Sequence, residues 1–356
     1  MNLHLKLLLS SVTLLSSTAG AADLLVPAQF GSIQGAVDFA QPGDRIVIDK
    51  GIYDENVAIA DKVDLAIKGK KGAIVAPTTP GFGLRFTDSQ QIELRGLTVR
   101  NSTDTAIRFD DCSDVLIRKC VVEGAGFDGI LVLDSTRVTI TQNDVRDLDA
   151  SGIAMLGEDG DGDITNNRIA RAGNHGIFVH GPNFTVTGNE IEETALPGLE
   201  AEAFSKTFEN VLFADNVLDR TRGIRIRGYV GVSLLDNVVS RALLDGVFLQ
   251  NDANVLLSGN AIKKPGGDGI DLSVASTLNG NKVKKAAANG LLLRAGSDGS
   301  IVLKNTIKNA AAVSYVLVSS ANQLIENKAV KSGQFDLNDF GVDNFFASNS
   351  FAIVSP

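Results

Sequence analysis

Residues of the kinds used for proton transfer and anion capture recur in this chain at nearly constant intervals. Asp128, His175, Arg222, Asp245 and Asp268 each stand directly before a Gly that is followed by an aliphatic residue. Two residues after those glycines, or after the equivalent Gly198, come Phe178, Glu200, Arg225, Phe248 and Asp271; two further on come His180, Glu202 and Arg227. Histidine gains and loses a proton near neutral pH, carboxylates serve as acids or bases, and the arginine fork matches a carboxylate. The set therefore suits acid–base chemistry on, or capture of, a carboxylate-bearing ligand. The same slots are bland before and after this stretch, at Leu131, Ala154, Leu292 and Val316. A plainer role stands beside the chemical one. Glu200 with Arg225, and Glu202 with Arg227, would also make ordinary cross-strand ion pairs, and Asp before Gly fits a turn on conformational grounds.

These slots become neighbours only if the chain is a regular stack. Asn recurs at 143, 167, 189, 216, 237, 260, 281, 305, 327 and 349, in steps of 21 to 27 residues. Two earlier copies keep the frame with Leu97 and Cys120 in the Asn slot. Gly before an aliphatic residue follows in register at 129, 152, 176, 198, 223, 246, 269 and 290. Two landmarks locked at one period indicate a solenoid. A leucine-rich repeat would follow its Asn with a helical return. Here the return segments, Gly-Ile-Leu-Val (129–132), Gly-Ile-Phe-Val (176–179) and Gly-Ile-Arg-Ile (223–226), alternate with period two, which is strand. The reading is an all-β parallel β-helix of about 12 coils, with aliphatic residues inward and the Asn side chains stacked into an amide ladder. With coils about 4.8 Å apart it forms a rod of roughly 55 to 60 Å. Equivalent outward residues then lie one coil apart, and the chemically interesting slots form columns. The longest step, Asn189 to Asn216, places an insertion at Ala201–Asn210, and solenoid insertions become loops on one face.

The 356 residues divide into four parts. Residues 1–21 read as an export signal, with Lys6, the apolar Leu7–Leu15 and a small-residue cleavage site at Ala19-Gly20-Ala21. The apolar run is too short for a membrane span, so a periplasmic or extracellular protein, monomeric, is expected. Residues 22–60 form a cap and first coil. Ser32–Ala40 is a short amphipathic helix N-capped by Ser32, then come a strand Arg45–Asp49, a turn at Gly51 and a strand Asn56–Ile59. Residues 61–335 are the repeats, and 336–356 a last coil and cap. A net charge of −9 gives no general basic footprint for nucleic acid or an anionic membrane. Cys112 and Cys120 bracket a strand that holds them about 20 Å apart, beyond disulfide reach. Asp159-Gly-Asp161-Gly-Asp163 mimics an EF-hand opening, but Ala170 stands where the bidentate Glu belongs. No cofactor or resident metal is expected, with Ca²⁺ the only ion worth weighing.

The Asn-x-Val and Asp-Gly-Ile phrases, together with SIQGAVDFAQPGDRIVIDKGIYDENV at Ser32–Val57, resemble secreted right-handed parallel β-helix proteins. These are the pectate-lyase-like, polygalacturonase-like and carbohydrate-binding sugar-hydrolysis repeat proteins, and the resemblance spans nearly all of the mature chain. It implies an acidic polysaccharide, or another cell-envelope glycan, as ligand. Polygalacturonase-like members carry Asp-Gly-Ile, Asp-Asp, Gly-His-Gly and Arg-Ile-Lys on successive coils. Here stand Asp128-Gly129-Ile130, then His175-Gly176-Ile177, then Arg225-Ile226-Arg227. The resemblance implies that Asp128 would help activate water, His175 would support the acid, and Arg225 with Arg227 would hold a uronate carboxylate. Those four are the catalytic candidates. Phe178, His180, Glu200, Glu202, Arg222, Asp245, Phe248, Asp268 and Asp271 are the substrate-binding ones. In frame with Asp-Asp, however, stands Ala150-Ser151, and Asp149 is one position early. That removes half the machinery of glycoside hydrolysis, so lyase or epimerase chemistry ranks ahead of it. The Asp-Pro-His motif of alginate epimerases and the Ca²⁺-binding aspartates of pectate lyases are absent. The alternative is a non-catalytic glycan-binding or adhesive β-helix.

Overall fold

The computed structural model describes residues 21–204 and 206–352. The expected export signal, apart from Ala21, lies outside the described residues. Each turn of chain lays down three short strands. One turn comprises Ile130–Leu133, Thr136–Thr141 and Asp144–Leu148; the next comprises Ile153–Leu156, Gly162–Thr165 and Arg168–Ala172. Equivalent strands pair in parallel and in register: Ile130 with Ile153, Ile140 with Ile164, Val145 with Ile169. The result is three parallel sheets, here named leading, middle and trailing in chain order within a turn, of 13, 15 and 13 strands. The stack is longer than the twelve coils expected, because the chain already enters it at Asp23–Val26 and Arg45–Ile48, before the Asn repeat begins. Gly51 opens a strand, Gly51–Tyr53, where a turn was expected, and the following strand is Val57–Ala60.

Alternation explains the core. Along Ile177–His180 the inward Ile177 and Val179 are fully buried while Phe178 and His180 face outward. Repeated through every turn, this gives one apolar column running the length of the rod. The turn between the middle and trailing sheets is closed by the Asn ladder. Asn237 Nδ2 donates to Asn260 Oδ1 at 3.0 Å and to the Phe213 carbonyl at 2.7 Å. Its own Oδ1 accepts from the backbone N–H and the Nδ2 of Asn216. The same bonds run unbroken from Asn143 to Asn349. Each amide thus satisfies a turn that its own coil leaves open.

The Gly landmark has a different cause. A Cβ on Gly176 would lie 2.5 Å from the Gly198 carbonyl oxygen and 2.4 Å from Ile191 Cγ2, so a side chain there would collide with the next coil. At the N-terminal end the helix Ile33–Phe39 buries Ile33, Ala36 and Val37 over the first coils, and Ser32 Oγ accepts from Gly35 N–H. Cys112 and Cys120 are both buried and unpaired.

Candidate functional site

The register places the expected columns side by side on the leading sheet. Phe178 faces Glu200, Glu200 faces Arg225, Arg225 faces Phe248 and Phe248 faces Asp271. One step outward, Glu202 faces Arg227. At the centre of this face lies a cavity of about 370 Å³. It gathers His175, Glu200, Arg222, Arg225, Arg227, Asp245 and Phe248 from the expected set, and adds Leu196, Leu244 and Gln250.

Glu200 is the floor of the cavity, with a side chain only 2% exposed. A carboxylate so far from water needs polar partners on both sides. It has His175 Nε2 at 2.8 Å from one oxygen and Arg225 Nε at 3.3 Å from the other. His175 is held at its second nitrogen as well, with Ser151 Oγ 3.5 Å from Nδ1. Ser151 N–H in turn donates to Asp128 Oδ1 at 2.8 Å. Asp128, Ser151, His175, Glu200 and Arg225 therefore form one polar line across the turns. Beside it Arg227 Nη1 lies 3.3 Å from Glu202 Oε1. Burial raises the Glu202 carboxyl above the usual range; Arg227 opposes this, and the neighbouring Glu200 carboxyl adds to it. The buried Nε–H groups of Arg225 and Arg227 have no hydrogen-bond acceptor among the described residues. Arg222 is exposed to the cavity. Among the described residues every arginine other than Arg100 and Arg222 has a carboxylate within ion-pairing distance.

Asp128, Phe178, His180, Asp268 and Asp271 stand apart from the cavity, and Asp245 sits at its edge. Asp128, two coils back, accepts a backbone N–H in the turn, and burial is the main cause of its raised pKa. Asp245 and Asp268 repeat that turn bond: Asp245 accepts from Asp268 N–H and Asp268 from Asn289 N–H. Asp271 is gripped by both ends of the Arg294 fork at 2.6 and 2.7 Å. Phe178 stacks on the His175 ring at 4.9 Å. His180 Nδ1 lies 2.6 Å from the Glu202 carbonyl oxygen, between Phe204 and Phe208. Phe204 was not singled out in the sequence. It follows the strand Leu199–Glu202, within the stretch where the insertion was expected, and sets an exposed ring against Phe178 and His180. The unusual length of that coil was the signal for it.

Among the described residues no group of three or more His, Cys, Asp or Glu side chains could hold a metal ion. Of the EF-hand-like aspartates, Asp161 accepts from Arg137 N–H across the coils at 2.7 Å.

A family model described as a right handed beta helix region matches residues 82–237 and 183–329. The chain belongs to the right-handed β-helix family. Solved structures of the same fold include the A-module of an Azotobacter vinelandii mannuronan C-5 epimerase. It is 16% identical with a TM-score of 0.57, over 78% of this chain and 91% of that one. A second is the catalytic unit of an α-1,3-glucanase from Streptomyces thermodiastaticus, 14% identical with a TM-score of 0.62, over 94% and 70%. A third is a Yersinia enterocolitica exopolygalacturonase, 14% identical with a TM-score of 0.52, over 94% and 80%. At such identities the likeness is one of fold. No helix among the described residues is long and apolar enough to cross a membrane.

Proposed function

We propose that this β-helix binds an acidic polysaccharide across the leading face and acts on it by uronate-directed chemistry of the lyase or epimerase kind. One observation carries the reading. Arg222 opens into the cavity without a carboxylate partner among the described residues, beside Arg225 and Arg227, which are paired with Glu200 and Glu202. Such a fork waits for an anionic group. Neutralising a uronate carboxylate is also what makes its C5 proton acidic enough to remove. Glu202, paired with the cavity-lining Arg227 and held above the ordinary carboxylate pKa, would accept that proton.

Hydrolysis fits less well. The Glu200 carboxyl is buried between His175 and Arg225, and is engaged there rather than free to work with Glu202 as the acid–base pair of a glycosidase. The epimerase, glucanase and polygalacturonase named above share the scaffold, which supports a polysaccharide as the ligand class. Export through residues 1–21 and action as a monomer, without a cofactor, complete the proposal. A binding-only role has one observation in its favour: both His175 nitrogens are engaged, by Glu200 and by Ser151, leaving no free imidazole at the cavity.

The test is incubation of the mature protein with pectate, alginate and glycosaminoglycans. Unsaturated-uronate absorbance, reducing ends and C5 configuration are followed together, with and without EDTA. An EDTA-insensitive change in absorbance or C5 configuration supports the reading. Measurable binding with silence in all three readouts leaves only the binding role, and new reducing ends without unsaturation overturn the chemistry.

A further inference from the structure

The trailing sheet changes character along the rod. In its earlier turns most charged residues meet their opposites. Arg146 pairs with Glu123 and Asp144, Arg168 with Glu192, Arg220 with Glu192, Glu193 and Asp219, and Arg241 with Asp219. From Ala261 onward the acids vanish from this face. The strands there are Ala261–Lys263, Lys282–Lys284, Thr306–Lys308 and Lys328–Val330. Their register puts Lys263 beside Lys284 and Lys284 beside Lys308. Lys282 and Lys328 flank Thr306 in the next column. The turns that follow add Lys264, Lys285 and Lys331, all in the left-handed conformation. All eight lysines are exposed, and among the described residues none has a carboxylate within ion-pairing distance.

Between residues 261 and 331 the chain carries nine lysines and one arginine against four acids, in a protein of net charge −9. Three of those acids are committed elsewhere: Asp271 to Arg294, Asp268 to the leading-sheet turn and Glu326 to Lys304. Like charges facing each other across a sheet cost stability, and nothing in the fold requires them. The inward residues of these strands, Ile262, Val283 and Ile307, already supply the core. Between the lysine stems runs a groove of about 350 Å³ floored by Ala261, Ile262 and Val283.

We propose that this lysine face is a second binding site, separate from the leading-sheet cavity, for an extended acidic polysaccharide with one carboxylate per sugar. The rung spacing of a parallel sheet, about 4.8 Å, is close to the length of one pyranose along an extended chain. Successive carboxylates can therefore meet successive lysines. A single-stranded nucleic acid would call for aromatic stacking platforms, and no aromatic residue lines this groove. A bilayer would call for exposed apolar anchors between the cations, and the exposed large hydrophobic residues do not include these strands. The site does not depend on the chemistry proposed for the cavity: a chain can be held here whether or not it is altered there.

The experiment titrates the full mature protein with polygalacturonate of defined length, with oligo-dT and with vesicles of phosphatidylglycerol and phosphatidylcholine, at several salt concentrations. The variants are Lys263→Gln/Lys284→Gln/Lys308→Gln and, separately, Arg225→Ala/Arg227→Ala. Circular dichroism melts confirm folding, and the lysine variant is expected to melt no lower than the parent because like-charge repulsion is relieved. Polygalacturonate affinity should fall roughly tenfold in the lysine variant, with a shallower salt dependence, since exposed charge pairs are individually weak and released counterions supply much of the affinity. The arginine variant should retain that salt-dependent component. The proposal is overturned if the lysine variant binds polygalacturonate like the parent, or if the arginine variant alone loses binding. Tighter binding of oligo-dT or vesicles than of polygalacturonate overturns it as well.

Discussion

At the scale of single residues, Glu200 and Glu202 sit two positions apart on one strand and do different work. Glu200 is buried between His175 and Arg225, so Glu200→Ala removes the acceptor those two side chains share. Arg225 is 31% exposed and can turn to water, so urea denaturation should show a loss of about 1 to 3 kcal/mol. Glu202 is more open, and its partner Arg227 reaches solvent. Glu202→Gln should therefore change stability by less than about 1 kcal/mol while abolishing unsaturation or C5 inversion of the uronan. A variant that keeps activity would remove Glu202 as the proton acceptor. Arg222→Ala is the third member of the set. It should raise KM for an anionic substrate roughly tenfold or more, and hardly affect folding, because no ion pair holds Arg222. The columns of these residues were legible before the structure, since a fixed period turns spacing into adjacency. The bond from His175 to Glu200 was not: the two residues lie in different columns and meet only because both side chains lean across the turn.

At the scale of the element, the ladder and the turns set the energetics. Asn237→Ala, in mid-ladder, takes away the acceptor for Asn216 N–H and Nδ2 and the donor to Phe213. Unsatisfied buried groups cost about 1 to 3 kcal/mol each. Asn349→Ala, at the last rung, removes the matching bonds to Asn327 N–H, Asn327 Nδ2 and the Leu324 carbonyl, but these are only part-buried and water can replace them. The mid-ladder variant should thus be the less stable by several kcal/mol in chemical denaturation, and equal losses would mean that the amides do not act as a ladder. The turn at Asp252 adds a pH dependence. Its oxygens accept from Tyr229 N–H and Gln250 N–H, and burial pushes its carboxyl up to about 7. The unfolded chain holds that proton only below about 3.9. The native state therefore binds more protons between those values, and its stability falls as pH rises from about 4 to about 7. In Asp252→Asn the difference in melting temperature between pH 5 and pH 8 should shrink relative to the parent. The ladder was visible in the sequence as a repeating Asn. The Gly landmark was visible too, though its cause, a carbonyl 2.5 Å from any added Cβ at Gly176, was not. Asp252 left no such signal, because its burial depends on how one turn folds beneath Tyr229.

At the scale of the molecule, a stack with contacts only between neighbouring turns is vulnerable at its ends. The N-terminal helix is what closes the first end. Ile33, Ala36 and Val37 face inward over the first strands, and behind them lies an apolar column that would otherwise meet water. The Ser32 cap and the helical spacing of those residues made this element legible from sequence. The lysine-rich trailing face was invisible in the same reading, because a net charge of −9 averages over the whole chain while the asymmetry belongs to one face of about one fifth of it, residues 261–331 of 356. Opening the capped end should have a characteristic consequence. In Ile33→Asp/Val37→Asp the helix can no longer bury its inner face, and the exposed turn presents an apolar rim and an unpaired strand edge, the usual route to edge-to-edge association. Size-exclusion chromatography with light scattering should then show larger species than the parent forms. Far-ultraviolet circular dichroism should stay β-rich, since the distant turns keep their own neighbours. If the double variant instead lost all β signal, the turns would form a single cooperative unit nucleated at the cap, and the nearest-neighbour description of this rod would not hold.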